Sequence, residues 1–284
     1  FSARRYLNRS LDRARAVQDF PLMIYSLSYI SSCELALGNI DESVQALGLA
    51  NSLAYQQNLF ALQAEAQYRY AKLHILKGEF HEADIKLRQS ISLELISSAR
   101  TSTRGLALKY IQLARLALRS GHYEKARKFY YRAEVHSYKN HVRTTEAVAC
   151  YGQALIALLQ NEISLAHRLR RRARALAGGM SKIRKNKKFL HIEFIFALNE
   201  KNYSACMDIL RLRYILSRRS KVALSQTVRM AFLLEKASAQ ACPVRRSWLL
   251  RYNRHTENPQ LTFLKTDLPF QDGRLEDLLP YLLL

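Results

Sequence analysis

Apolar residues recur along this chain at helical spacing. Over 61–77 they fall at Leu62, Ala66, Tyr70, Leu73 and Leu76, steps of three and four that share one helix face, and Gly78 is a natural stop. A second helix is expected from near Phe80 through Leu87 and Ile91. The same unit then returns. Gly78-Glu79-Phe80-His81-Glu82-Ala83 has the form Gly-x-aromatic-x-x-Ala, repeated in Gly121-His122-Tyr123-Glu124-Lys125-Ala126. Upstream it appears as Gly38–Ser43, and downstream as Asn161–Ala166 and Lys201–Cys206. The first positions lie 40, 43, 40 and 40 residues apart.

Other columns keep this period. Three residues before the turn stand Leu35, Ile75, Leu118, Leu158 and Leu198. Seven before it stand Ser31, Ala71, Ala114 and Ala154, with Phe194 departing from the small-residue rule; twelve after it stand Ala50, Ser90, Ala133 and Ala173, then Arg213. Small residues at fixed spacings let helices approach closely while large apolar neighbours fill the gaps. One hairpin cannot bury its apolar face alone, so stacked neighbours must bury it jointly. The expected fold is therefore all-α, a right-handed α-solenoid of helix-turn-helix repeats over residues 1–215.

The small residue in the first helix, the Gly and aromatic at the turn, and the later Ala positions resemble the signature of the tetratricopeptide-repeat superfamily. That superfamily's usual unit is about 34 residues. Units near 40 look like its long-helix variety, found in kinesin light chains and scaffold subunits of the anaphase-promoting complex. The resemblance implies a concave surface lined by first helices, with exposed residues ten and six before the turn. Here those are Tyr68 and Lys72, Ile111 and Arg115, Tyr151 and Leu155, and His191 and Ile195. Tyr68, Lys72, Ile111, Arg115 and Tyr151 are the expected partner-binding groove. The chaperone-tail clamp of the family needs Asn and Lys at these columns, and only Lys72 fits.

Ala3, Leu7 and Ser10 occupy second-helix columns, so the array is expected to extend before Phe1. The period fades after about residue 215. A C-terminal helical cap is expected over 216–253, including helices at Val222–Ala239 and Pro243–Tyr252, followed by an irregular Pro-containing tail over 254–284 whose apolar end either caps the last repeat or docks elsewhere.

Composition narrows the partners. The 284 residues are 49% apolar, which excludes disorder, and Gly and Pro are too sparse for an all-β fold. Four cysteines (Cys33, Cys150, Cys206, Cys242) stand far apart with no CxxC pair, which suggests neither a disulfide framework nor a zinc site and favours a cytoplasmic or nuclear setting. The longest apolar candidates, Phe189–Leu198 and Leu278–Leu284, are too short to cross a bilayer, so no membrane span is expected. Net charge is +22, which favours acidic protein surfaces, nucleic acid or anionic lipid as partners without choosing among them.

Charge concentrates in one run of ten cations without an acid: Arg168, Arg170, Arg171, Arg172, Arg174, Lys182, Arg184, Lys185, Lys187 and Lys188. This basic patch reads as a solvated helix face and loop, as a contact for an acidic neighbour, or as a nucleic-acid or nuclear-import segment. On the second reading, replacing Arg170, Arg171 and Arg172 with Glu is expected to slow partner association and flatten its salt dependence. No stacking aromatics interrupt the run, which weakens a single-strand RNA reading. No phosphate-loop, dinucleotide, zinc-protease or nucleophile-elbow motif is present, and the eight histidines are scattered. No enzymatic activity, cofactor, metal or small-molecule substrate is expected. The expected function is a protein-interaction scaffold within a multiprotein assembly. The alternatives are a nucleic-acid-binding helical-repeat protein, for RNA maturation or transcription control, or the sensor portion of a transcriptional activator.

Overall fold

The computed structural model describes residues 2–97, 104–184 and 186–217, together with Thr227 and Met230. The expected cap over 216–253 and tail over 254–284 lie outside the described residues beyond Ser217, apart from Thr227 and Met230, which are helical and buried. Cys242 and His255 lie outside them as well.

Among the described residues there are twelve helices: α1 Ser2–Ala16, α2 Phe20–Leu37, α3 Ile40–Gln56, α4 Phe60–Lys77, α5 Phe80–Ser97, α6 Arg104–Arg119, α7 Tyr123–Lys139, α8 Arg143–Leu159, α9 Ile163–Leu176, α10 Met180–Ile183, α11 Lys187–Asn199 and α12 Tyr203–Ser217. No strand occurs among the described residues. Contacts divide the chain into two compact units, Phe1–Lys109 and Tyr110–Leu284, and the division falls inside α6.

In the first unit, helices pack consecutively from α1 to α5, and the first helices of successive repeats, α2 and α4, also touch. In the second, α7 packs on α8, α8 on α9 and α11 on α12, with α8 also meeting α11. The described residues thus form a helical repeat-like array.

Among the described residues, the turns after α1–α4, α6–α9 and α11 are closed the same way. Gly38 adopts a left-handed φ of 87°. Its N–H bonds Leu35 O at 3.1 Å, and the N–H of Asn39 bonds Glu34 O at 2.9 Å. This paired closure occupies the last turn's orphan carbonyls. Gly78, Gly121, Asn161 and Lys201 repeat the positive φ at the 40-residue period. The turns between repeats use it too, at Gln18, Asn58 and His141. Those turns the glycine column did not reveal. At the start of α2, the Asp19 carboxylate accepts from Leu22 N at 3.0 Å, and Pro21 sits in the first turn where its missing N–H costs nothing.

The small-residue columns are the packing seams. Ala71, Ala114 and Ala154 are fully buried, as are Ala50, Ser90, Ala133 and Ala173, and Ser31 nearly so. Ser31 and Ser43 face each other across the α2–α3 hairpin, their hydroxyls 2.9 Å apart, with Ser43 also placed to donate to Ser31 O. In the second unit, Gly152 lets the Tyr130 ring lie against α8; a Cβ there would stand 2.2 Å from the ring. Leu11, Ile24, Leu27, Ala54 and Leu62 join Ala50 in a core of the first unit.

One expectation changes here. Apart from the two short segments named above, α2 is a helix long and apolar enough to cross a membrane, judged by length and composition. Its placement is that of an array helix: it packs against α1, α3 and α4, and its Ser26 hydroxyl donates to Ser10 at 3.0 Å. The serines interrupt the apolar run, which hid its length from a reading of continuous apolar stretches.

Candidate functional site

The first-helix face of the unit Phe1–Lys109 holds an open cleft of about 320 Å³, lined among others by Tyr25, Tyr29, Glu65, Arg69, Glu94 and Lys109. Tyr25 and Tyr29 are one turn apart on α2, 48% and 52% exposed. Arg69 comes forty residues after Tyr29 and lies over its ring, 5.1 Å from the centroid. Its guanidinium also donates to Ser28 O at 3.1 Å and to the Ser32 hydroxyl, and pairs with Glu65 at 2.9 Å. Lys109 is buried and ion-paired with Glu94; burial pushes its ammonium down to about 8, against the pull of Glu65. The carboxylate of Glu94 passes over Gly105, where a Cβ would stand 2.5 Å from its oxygen. Every charge in this cleft has a partner, so what it offers a ligand is tyrosine surface on a rigid polar frame.

Tyr68 and Lys72, expected in the groove, lie on α4 of the same unit. Lys72 is exposed, its ammonium 5.9 Å from the centroid of the half-buried Tyr68 ring. Glu65 and Arg69 precede Tyr68 and Lys72 by three residues, an adjacent row of one helix surface. Sequence columns at nine and thirteen before the turn would have picked out Tyr29 with Arg69 and Tyr25 with Glu65.

The groove expectation fails in the unit Tyr110–Leu284. Ile111 is 3% exposed, and Tyr151, Leu155 and Ile195 are fully buried. Of that set Arg115 and His191 are partly exposed, and Arg115 hydrogen-bonds Tyr130. The reason is compositional. Helix α8 is buried around almost its whole circumference, and its sequence, like that of α11, is apolar on all sides. His191 lies partly exposed on α11, yet its Nε2 is buried without a hydrogen-bond partner among the described residues; burial, then Arg213 and Arg115, hold its pKa well below the ordinary histidine range.

Tyr151 serves a different purpose. Its ring lies against Phe189, 5.6 Å between centroids, and its hydroxyl donates to Glu193 Oε1 at 2.6 Å. Two arginines one turn apart on α9 complete the cluster. Arg170 donates to Glu193 Oε2 through Nη2 at 2.7 Å and Nε at 3.1 Å, and Arg174 donates to Oε1 at 2.8 Å. Arg170 also pairs with Glu200 and lies 4.5 Å from the Phe196 ring centroid. Burial alone would raise the Glu193 carboxyl, but hydrogen bonds from Arg174, Arg170 and Tyr151 outweigh it and hold the pKa at about 2. An open cleft of about 660 Å³ adjoins the cluster, bounded also by Arg184, Asp208 and Arg211.

The basic run is consequently not one patch. Arg168, Arg171 and Arg184 are exposed. Arg170 and Arg174 turn inward to Glu193, and the half-exposed Arg172 pairs with Glu134 at 2.5 Å and Glu146 at 3.8 Å. Lys182 and Lys187 with Lys188 belong to α10 and α11, while Lys185 lies outside the described residues. Like charges four residues apart are tolerable where one buried carboxylate bridges them. Substituting Arg170 would therefore test folding rather than association, and Arg168 with Arg171 are the positions that test charge.

Among the described residues no group of three metal-ligating side chains converges. The Cys150 and Cys206 thiols are buried, and burial pushes them up to about 11 and about 12, far from nucleophilic. Comparison with known proteins finds no family model that matches this chain and no curated protein that matches it.

Proposed function

We propose that this chain is a non-enzymatic interaction scaffold of tetratricopeptide type, one subunit of a larger protein assembly. Its stacked hairpins coil in the right-handed sense of that superfamily, and its ligands are acidic segments of partner proteins. The observation that carries the reading is the pair Tyr25 and Tyr29, half exposed and one turn apart beside an open cleft, backed by an Arg69 whose own charge is already matched. Aromatic side chains pre-set on a rigid frame are what binding hot spots are made of. The excess of 45 cations over 23 acids supplies long-range attraction for acidic partners, acting on encounter more than on final affinity. The free Cys150 and Cys206 support an intracellular, reducing setting.

The test is to purify the intact protein from its own cells, cross-link it and map the links by mass spectrometry. Links from other proteins should gather on α2 and α4. Substituting Tyr25→Ala with Tyr29→Ala should cut recovery of those proteins by about tenfold or more. Recovery that is indifferent to the double substitution would remove the reading.

A further inference from the structure

We propose that the outward face of α7 and α9 is a second docking surface, built for an extended acidic protein segment that carries two large apolar side chains three residues apart. This rests on the scaffold reading and assigns it a surface and a ligand chemistry that the basic run alone did not reveal.

Tyr131 and Tyr138 are 62% and 71% exposed. A helix turns about 100° per residue, so seven residues bring them to nearly the same azimuth, about 10 Å apart along α7. One flank of this stripe is cationic: Lys125, Lys128, Arg132 and Lys139 are all exposed and fall on the same side of it. On the other flank α7 meets α9. Glu134 reaches across to Arg172, and Arg127 pairs with Glu162 at 3.5 Å. Helix α9 then exposes Arg168 and Arg171. Two tyrosines therefore lie between two rows of cations; the carboxylate beside them, Glu134, is largely covered and already matched, and the exposed Glu124 lies a further seven residues toward the start of α7.

The stripe ends in a cleft of about 430 Å³ lined by Tyr138, His141, Arg143, Glu146, Arg172 and Leu176. That volume accommodates an apolar side chain. An extended segment in the polyproline II conformation advances about 3.1 Å per residue and turns once in three residues, so side chains three apart share one face about 9 Å apart, close to the tyrosine spacing of about 10 Å. Carboxylates between and beside the two apolar residues would then face the cation rows. Glu146, buried in the cleft wall, faces Arg172 at 3.8 Å, so the cleft can take an uncharged apolar side chain without a counter-charge of its own. The sequence run from Arg168 contains no stacking aromatics. The neighbouring helix supplies them.

The probe is a short fluorescein-labelled peptide of Asp and Glu containing one Phe and one Leu three residues apart, titrated with the whole 284-residue chain by fluorescence anisotropy. Its controls are the same peptide with both apolar residues replaced by Ser, and a labelled oligothymidylate. The proposal expects the Phe/Leu peptide to bind and the Ser peptide to bind about tenfold or more weakly. Tyr131→Ser with Tyr138→Ser should lose affinity by a similar factor yet keep the salt dependence. Lys128→Glu with Arg168→Glu should lose both affinity and salt dependence. All four positions are exposed, circular dichroism checks each variant, and the two peptides compared on the unsubstituted protein need no variant at all. No binding, equal binding of the two peptides, indifference to the tyrosine pair, or tighter binding of oligothymidylate would each overturn the assignment. If cross-links on α2 and α4 persist while this surface fails, the scaffold reading stands without it; if those links are lacking in the unsubstituted protein, the scaffold reading itself falls.

Discussion

Glu193 carries a charge in a place where a lone carboxylate would be neutral. Two guanidinium groups and a tyrosine hydroxyl make ionisation favourable there, holding the pKa at about 2 against the ordinary 4.5. A carboxyl depressed by folding stabilises the folded state above its unfolded pKa and loses that contribution as pH falls toward the folded one. From this group, the full contribution, on the order of 3 kcal/mol, is present above about pH 4.5 and disappears between there and about pH 2. Replacement by Gln leaves the buried Arg170 with Glu200 alone and removes the counter-charge of the partly exposed Arg174, so Glu193→Gln should destabilise by about 3 kcal/mol at neutral pH. Denaturant titrations at several pH values check both statements. The variant should also show a flatter loss of stability on acidification, and an acid limb identical to that of the unsubstituted protein would show that Glu193 is not the group responsible.

At the scale of helices and turns, the repeated left-handed closure makes a paired prediction. Gly121 has φ 72° and open space where a Cβ would stand, so Gly121→Ala isolates the backbone cost, about 1 kcal/mol of destabilisation. His141 occupies the same conformation at φ 55° with a side chain that dislikes it, so His141→Gly should stabilise by about the same amount. Opposite shifts in the urea midpoint are expected, and shifts of the same sign would refute the shared geometry. These turns also show what the chain makes legible. Glycines and small residues at 40-residue intervals disclose helix ends and seams, because a seam accepts little but Ala or Ser, and Ala71, Ala114 and Ala154 are buried where the columns put them. Gln18, Asn58 and His141 share a conformation without sharing a residue type, so no column marks them. Exposure was harder still. Whether Tyr151 lines a groove or closes a core depends on what covers α8, and an all-round apolar helix was the available hint. Partnering was not legible at all: Arg170 and Arg171 are neighbours in one run, yet one is bound to Glu193 and the other faces solvent, a split decided by a carboxylate 23 residues from Arg170.

For the molecule as a whole, the net charge of +22 sets two electrostatic effects against each other. Added salt screens repulsion among like charges, which favours the compact state, and it also weakens attractive pairs, which opposes it. Magnitudes decide between them. The strongest pairs, Glu193 with Arg170 and Arg174 and Glu94 with Lys109, are buried and screened little. The exposed ones, such as Arg88 with Asp84 and Arg211 with Asp208, contribute about 0–1 kcal/mol each at best. Repulsion, by contrast, is spread over every unmatched cation and falls wherever the Debye length shrinks, from about 30 Å at 0.01 M to about 8 Å at 0.15 M salt. Stability should therefore rise with salt across that range, seen as a higher midpoint in urea, which is itself uncharged. A midpoint that falls would mean that matched pairs dominate the surface. The cation rows beside Tyr131 and Tyr138 would then lack the unopposed field that an acidic partner must sense before it arrives.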